Sequence, residues 1–125
     1  MGQPTNFVNK YADQVSSSTA LATLFTHTSA LKNPDGSAGR GGILDRIVIY
    51  NPDTIAHTIT LFRVGTGLSA ASSNVIESLT LPSLAPPYIF EGPMYSGSGD
   101  FYQARLGETA SSQGVYYQSH YHEMS

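Results

Sequence analysis

Apolar residues in this chain recur every second position over short runs, and no stretch keeps a helical period. The clearest run is Ile43 to Tyr50, where Ile47, Val48, Ile49 and Tyr50 are β-branched or aromatic. Asn51-Pro52-Asp53-Thr54 breaks it with turn residues. Ile55 to Val64 resumes, with Ile55, Ile59 and Leu61 on one parity and Phe62 and Val64 on the other. These two runs read as a hairpin with a short loop. Val75, Leu79 and Leu81 mark another strand, Tyr88-Ile89-Phe90 a short one. Tyr102, Ala104 and Leu106 alternate with Gln103 and Arg105. Val115, Tyr117 and Tyr121 alternate with Gln118 and His120, which puts Tyr116 on the opposite face. Leu21, Leu24 and Phe25 among threonines make residues 20–28 an earlier strand.

Turn chemistry separates the runs. Pro34-Asp35-Gly36 presets φ at proline and accepts positive φ at glycine. Twelve Gly and seven Pro punctuate the whole chain. Seven or eight short strands with regular turn signals predict an all-β fold, an antiparallel β-sandwich of jelly-roll or Greek-key type. The first 18 residues are polar apart from Phe7, Val8, Tyr11 and Val15. They predict an extended N-terminal arm over 1–18 that anchors on a neighbour, followed by a sandwich domain over 19–125.

A chain of 125 residues suits one domain. Charged residues make up only 12% of it, about half the ordinary ~25%. Its surface is therefore covered largely by Ser, Thr, Asn, Gln, Gly and Tyr, which lose water cheaply when a partner docks. The six basic residues are scattered and the net charge is −3, which argues against nucleic-acid binding. There is no cysteine, so disulfides and thiolate chemistry are excluded. No apolar run approaches the ~18–20 residues of a membrane span, and no secretory signal pattern is visible.

Candidate chemistry is sparse. His120 and His122 share one face of a strand about 7 Å apart, the spacing of a metal pair, with Glu123 next to them. A zinc site needs a third protein ligand, and nothing in the chain points to one, so no metal or cofactor is expected. There is no Gly-x-Ser-x-Gly elbow, Gly65-Thr66-Gly67 lacks a phosphate loop's third glycine, and no carboxylate pair stands out. No catalytic residue is assigned and no enzyme is expected. Asp45 and Arg46 interrupt an apolar strand, and with Arg63 on the facing hairpin strand they suit cross-strand charge pairs. Eight tyrosines are the larger signal. Exposed tyrosine offers apolar area plus a hydroxyl and is enriched at interfaces. The interface candidates are Phe7, Val8, Tyr11, Tyr95, Tyr116, His120 and His122.

Two stretches carry a resemblance. The first is Ile47-Val48-Ile49-Tyr50-Asn51-Pro52-Asp53-Thr54 running into Thr58-Ile59-Thr60-Leu61-Phe62. The second is Ile76-Glu77-Ser78-Leu79-Thr80-Leu81-Pro82, then Glu91-Gly92-Pro93-Met94 and Gly99-Asp100-Phe101-Tyr102-Gln103-Ala104-Arg105. Over about residues 43–123 this resembles the small β-sandwich virion proteins of tailed bacteriophages. The resemblance implies a virion structural protein, first a capsid decoration (cement) protein. Such a protein would be a homotrimer bound to the major capsid protein or other virion subunits, assembled in the host cytoplasm onto the capsid surface. A tail or baseplate subunit has the same look. From another class, a receptor- or glycan-binding module would use the tyrosine-rich strand as its platform.

Overall fold

The computed structural model describes residues 7–28 and 40–124. Eight strands appear in chain order: β1 Phe7–Ser16, β2 Ala22–Thr26, β3 Arg40–Tyr50, β4 His57–Val64, β5 Val75–Leu81, β6 Tyr88–Gly97, β7 Phe101–Leu106 and β8 Val115–Met124. One turn of 3-10 helix, Ser72–Asn74, interrupts the β4–β5 connection. No helix among the described residues is long and apolar enough to cross a membrane.

All strand pairs are antiparallel, in two four-stranded sheets ordered β1-β8-β3-β6 and β2-β7-β4-β5. The pairs β1:β8, β2:β7, β3:β6 and β4:β5 are the rungs of one long hairpin. Rolling it up so that β8 meets β3 and β7 meets β4 makes a jelly roll. The expected sandwich is therefore the observed fold.

The core lies between the inner faces. Leu44, Ile47 and Ile49 from β3 oppose Ile59, Leu61, Ala104 and Leu106 from the second sheet, all fully or nearly fully buried. Phe25 stacks between Tyr102 and Tyr121, with ring centroids 4.8 and 4.1 Å away. The hydroxyl of Tyr102 meets Ser96 Oγ at 2.7 Å, so this buried phenol keeps a partner.

Two sequence expectations differ from this topology. Ile43–Tyr50 and Ile55–Val64 are not a hairpin: β3 lies in the first sheet and β4 in the second. The Asn51–Ala56 segment crosses between sheets, because both runs bury a face and each sheet needs one. Arg63 consequently does not face Asp45 or Arg46; it donates to the Tyr95 carbonyl at 3.2 Å. The polar stretch expected as an arm over 1–18 holds β1, whose residues 7–16 pair one for one with β8. Among its described side chains only Ala12 and Ser16 turn even partly inward, so they give little notice of a strand whose support is its backbone ladder. Residues 1–6 lie outside the described residues.

The crossing at 51–56 is held by buried polar groups. Asn51 donates its amide to the Ile55 and Leu81 carbonyls, both at 2.9 Å, and accepts from the Asp53 N–H. The Asp53 carboxylate meets His57 Nε2 at 2.7 Å and accepts from the backbone N–H groups of Thr54, Ser111, Ser112 and Gln113. Ser83 Oγ donates to the Asp53 carbonyl, and Leu84 N–H donates to the Asn51 carbonyl at 2.9 Å. The β3–β4 and β7–β8 connections thus close on one fully buried carboxylate, and β5–β6 is tied to the same corner through the backbone carbonyls of Asp53 and Asn51. Burial alone would raise its pKa, but the bonds from His57, Ser111, Ser112 and Thr54 outweigh that and hold it far below the usual carboxylate range.

Leu84 belongs to the same corner. It is the third residue of the turn that Ala85 N–H closes onto the Pro82 carbonyl at 3.3 Å, and its φ is 56°. A positive φ there suits Gly or Asn. For a leucine it costs about 1–2 kcal/mol.

At the other end, His27 is fully buried with neither ring nitrogen hydrogen-bonded. Rings of Phe25, Tyr102 and Tyr121 surround it at 5.2–6.0 Å. The Glu123 carboxylate lies 3.8 Å away but is engaged by Thr28 N–H and Oγ. Burial pushes the His27 pKa down, against Glu123 and Asp100, which pull it up.

These two groups predict two acid windows. A lowered histidine pKa means the unfolded chain takes up a proton first, so the His27 contribution is whole above ~6.5 and falls as pH drops below it. The Asp53 contribution is whole above ~3.9 and is lost only as pH falls further toward its depressed folded value. Urea melts of His27→Leu should lose the slope between about pH 7 and 5. Those of Asp53→Asn should start from a lower midpoint and lose up to about one proton of slope below about pH 5. A wild-type curve flat down to about pH 4 would contradict the His27 account.

Candidate functional site

The strand register fixes which side chains share the outer face of the first sheet. Across β1-β8-β3-β6, one row is Val15, Tyr116 and Tyr50; the next is Asp13, Gln118, Val48 and Ile89. A third is Tyr11, His120, Arg46 and Glu91, and a fourth is Asn9, His122, Ile43 and Tyr95. The outer face is therefore apolar toward the Asn51 end and ionic across its middle.

The register depends on a bulge. Pairing shifts between Leu44 and Arg46 against both neighbours: Asp45 is an extra residue on β3 relative to β8, while on β6 Gly92 and Pro93 stand opposite that one residue. Leu44 and Ile47 both point inward as a result, and Arg46 points out. Gly92 on β6 makes the fit possible, since a Cβ there would lie 2.1 Å from the Leu44 carbonyl. Asp45 is released to pair with His122 Nδ1.

Apolar exposure is unevenly distributed. Eleven large apolar residues are exposed among the described ones, and five of them (Tyr11, Val15, Ile89, Tyr95 and Tyr116) stand on this one face. Half-buried Ile43, Val48 and Tyr50 fill the gaps. The outer face of the second sheet is built differently. Its register brings out Thr58, Thr60, Ser78, Thr80 and Arg105. Its one large ring on that face of β4, Phe62, is only 3% exposed and lies 5.5 Å beneath the Arg105 guanidinium. Beside Phe62, Val75 is the one exposed large apolar residue that the register places on this face, against five on the first sheet.

Two depressions mark the open face. One of about 530 Å³ lies at the apolar end among Val15, Val48, Tyr50 and Tyr116, with Asp13 and Gln118 at its margin. The other, of about 350 Å³, lies over the ionic rows among Asn9, Tyr11, Asp45, Arg46 and His120. Tyr11 meets His120 edge-on at 4.9 Å, and His120 Nε2 contacts Gln118 Oε1 at 3.0 Å. Burial first, then Arg46, lowers the His120 pKa, against Asp45 and Asp13.

Of the interface candidates read from sequence, Tyr11, Tyr95, Tyr116, His120 and His122 come together on this face. Val8 has the other parity, opposite Glu123, and the side chain of Phe7 lies outside the described residues. His120 and His122 are drawn to Gln118 and Asp45, and no group of three metal-ligating side chains gathers among the described residues. Val15, Ile43, Val48, Tyr50 and Ile89 were not singled out. Both faces of β3 are apolar, so alternation gives no sign of which one is outside.

Asp53 and His57 are the parts of a charge relay, but both are fully buried. His57 Nδ1 has no partner, while the Ser112 hydroxyl donates to Asp53 instead. No hydroxyl meets this imidazole among the described residues, so the pair fastens loops.

The fold is that of an eight-stranded antiparallel jelly roll. A chain from a solved structure of Bacillus endospore appendages, described as a novel family of disulfide-linked pili, is similar over 99% of this chain and 93% of its own, with 14% identity and a TM-score of 0.54. That similarity is one of fold; the present chain has no cysteine with which to form such links. A chain of the cyanophage Pam1 capsid asymmetric unit aligns over 98% of this chain and 89% of its own, at 16% identity, with a TM-score of only 0.43. No protein-family model matches the chain, and no curated protein does.

If the open face is a surface and not a support of the fold, replacing Tyr11, Ile89 and Tyr116 together with Ser should move the melting midpoint by less than about 4 °C. Retention on a phenyl column should fall. A loss of about 10 °C or more would show that these side chains hold the sandwich together.

Proposed function

We propose that this chain is a non-catalytic assembly subunit of a virion, packing against other protein subunits through the outer face of its first sheet. The observation that carries the reading is the contrast between the two outer faces. One is covered with Thr, Ser and an arginine-capped ring and exposes only Val75 among large apolar residues; the other leaves five of the eleven exposed large apolar residues in the open. A face of that kind, with aromatic anchors around a central arginine, has the make-up of a protein interface. The low charge of the chain fits, because few ions must be desolvated on docking.

Within that reading the favoured role is capsid decoration. The strand and turn pattern over 43–123 supports it, and the jelly-roll architecture is one that shell proteins use. The oligomer adopted is a homotrimer, the number the resemblance implies. Added buried area at the seams of a shell stabilises only the assembled state. A tail or baseplate position would use the same face.

The test is co-sedimentation of the purified chain with phage heads, and separately with tails, that lack it. The chain should pellet with heads, and Val48→Lys should weaken binding at least about tenfold while melting normally. Binding to tails alone would move the subunit there. Binding to neither, or equal binding by Val48→Lys, would refute the interface.

A further inference from the structure

The geometry points to Leu84 as an assembly anchor that enters the Tyr50–Tyr116 depression of a second copy of this chain; this rests on the assembly reading above and names what covers the apolar end of that face.

Leu84 is out of place by every folding criterion. It occupies a turn position with φ 56°, where glycine or asparagine is the unstrained choice. Its side chain is 66% exposed, so it gains almost nothing from the core. A residue held in a costly conformation without a folding return points to a role outside the fold. Its presentation is also rigid. The turn is closed by Ala85 N–H on the Pro82 carbonyl, fastened by Leu84 N–H to Asn51, and tied by Ser83 Oγ to the Asp53 carbonyl. An anchor fixed in this way loses little freedom when it docks.

The receiving site is on the same molecule. The depression of about 530 Å³ is lined by Val15, Val48, Tyr50 and Tyr116, with Asp13, Gln14 and Gln118 as its polar members. Residues 82–87 read Pro-Ser-Leu-Ala-Pro-Pro, so the entering turn brings no charge that must lose water, and Asp13 is the one charged side chain lining the depression. Leu84 does not fill its own depression: it is exposed and is not among the residues that line it. Tyr50 runs directly into Asn51, which holds the Leu84 turn, so knob and depression flank the same end of the sandwich. A knob meeting a different patch on the next copy is a heterologous contact, and rotation about one axis closes such contacts into a ring. That is how a trimer would be built here.

Leu84→Gly separates this role from folding. It relieves the positive φ, so its melting midpoint should equal or exceed the wild type. Its self-association, followed by sedimentation equilibrium, should weaken at least about tenfold. Because the chain has no cysteine, mixing Leu84→Cys with Gln118→Cys under oxidation should give a mixed interchain disulfide in excess of the disulfide that either variant forms with itself. A wild-type chain that stays monomeric at about 100 µM would overturn the inference together with the trimer, a concentration at which a ring with the affinity of ordinary interfaces would assemble. A wild-type oligomer that persists in Leu84→Gly, with no mixed disulfide, would overturn the inference and leave the assembly reading standing.

Discussion

A single buried carboxylate sets the geometry of one end of this molecule. The jelly roll must carry its chain from one sheet to the other and back, and each crossing leaves backbone donors without strand partners. Asp53 takes up four of them, from Thr54, Ser111, Ser112 and Gln113, besides the contact with His57. An unpaired buried charge would be costly. This one is surrounded by donors, and the resulting hold on its proton shows in its strongly depressed pKa. Asn51 does the complementary work, donating to two carbonyls and receiving the Asp53 and Leu84 amides. The three connections therefore form one rigid corner.

That corner determines what the surface presents. With the crossings fixed, β3 enters the first sheet in a register that turns Val48 and Tyr50 outward and Ile47 and Ile49 inward. The Asp45 bulge keeps Leu44 inside and Arg46 outside. The face of the first sheet then acquires aromatic margins and an ionic centre, while the second sheet hides Phe62 beneath Arg105. The proposed docking face and the exposed Leu84 both follow from one polar cluster, which bonds the Leu84 turn directly and lies outside the face.

Much of the sandwich was legible in the sequence. Alternation over 101–106 and 115–121 gives the inward and outward residues of β7 and β8 correctly, including Tyr116 against Tyr117. Two elements were not legible. β1 buries too little to leave a pattern, since its order comes from backbone pairing with β8. The 43–64 hairpin was misread because Asn51-Pro52-Asp53-Thr54 has the composition of a tight turn. In fact those same residues span two sheets, and only the donors at 111–113, far off in sequence, give Asp53 its role. Of the face, the tyrosines and histidines of β8 could be found by parity. Val48 and Tyr50 could not, because a strand apolar on both sides does not say which side is buried. Leu84 left no sequence signal at all; only its backbone angle and exposure distinguish it.

The central claim is that the outer face of the first sheet is covered in the working assembly. Hydroxyl-radical footprinting of the free chain and of the intact particle tests it most directly. Tyr11, Tyr95 and Tyr116 should be oxidised in the free chain and protected in the particle, while Val75 and Leu68, exposed elsewhere, keep their reactivity. Equal oxidation of the three tyrosines in both states would contradict the account.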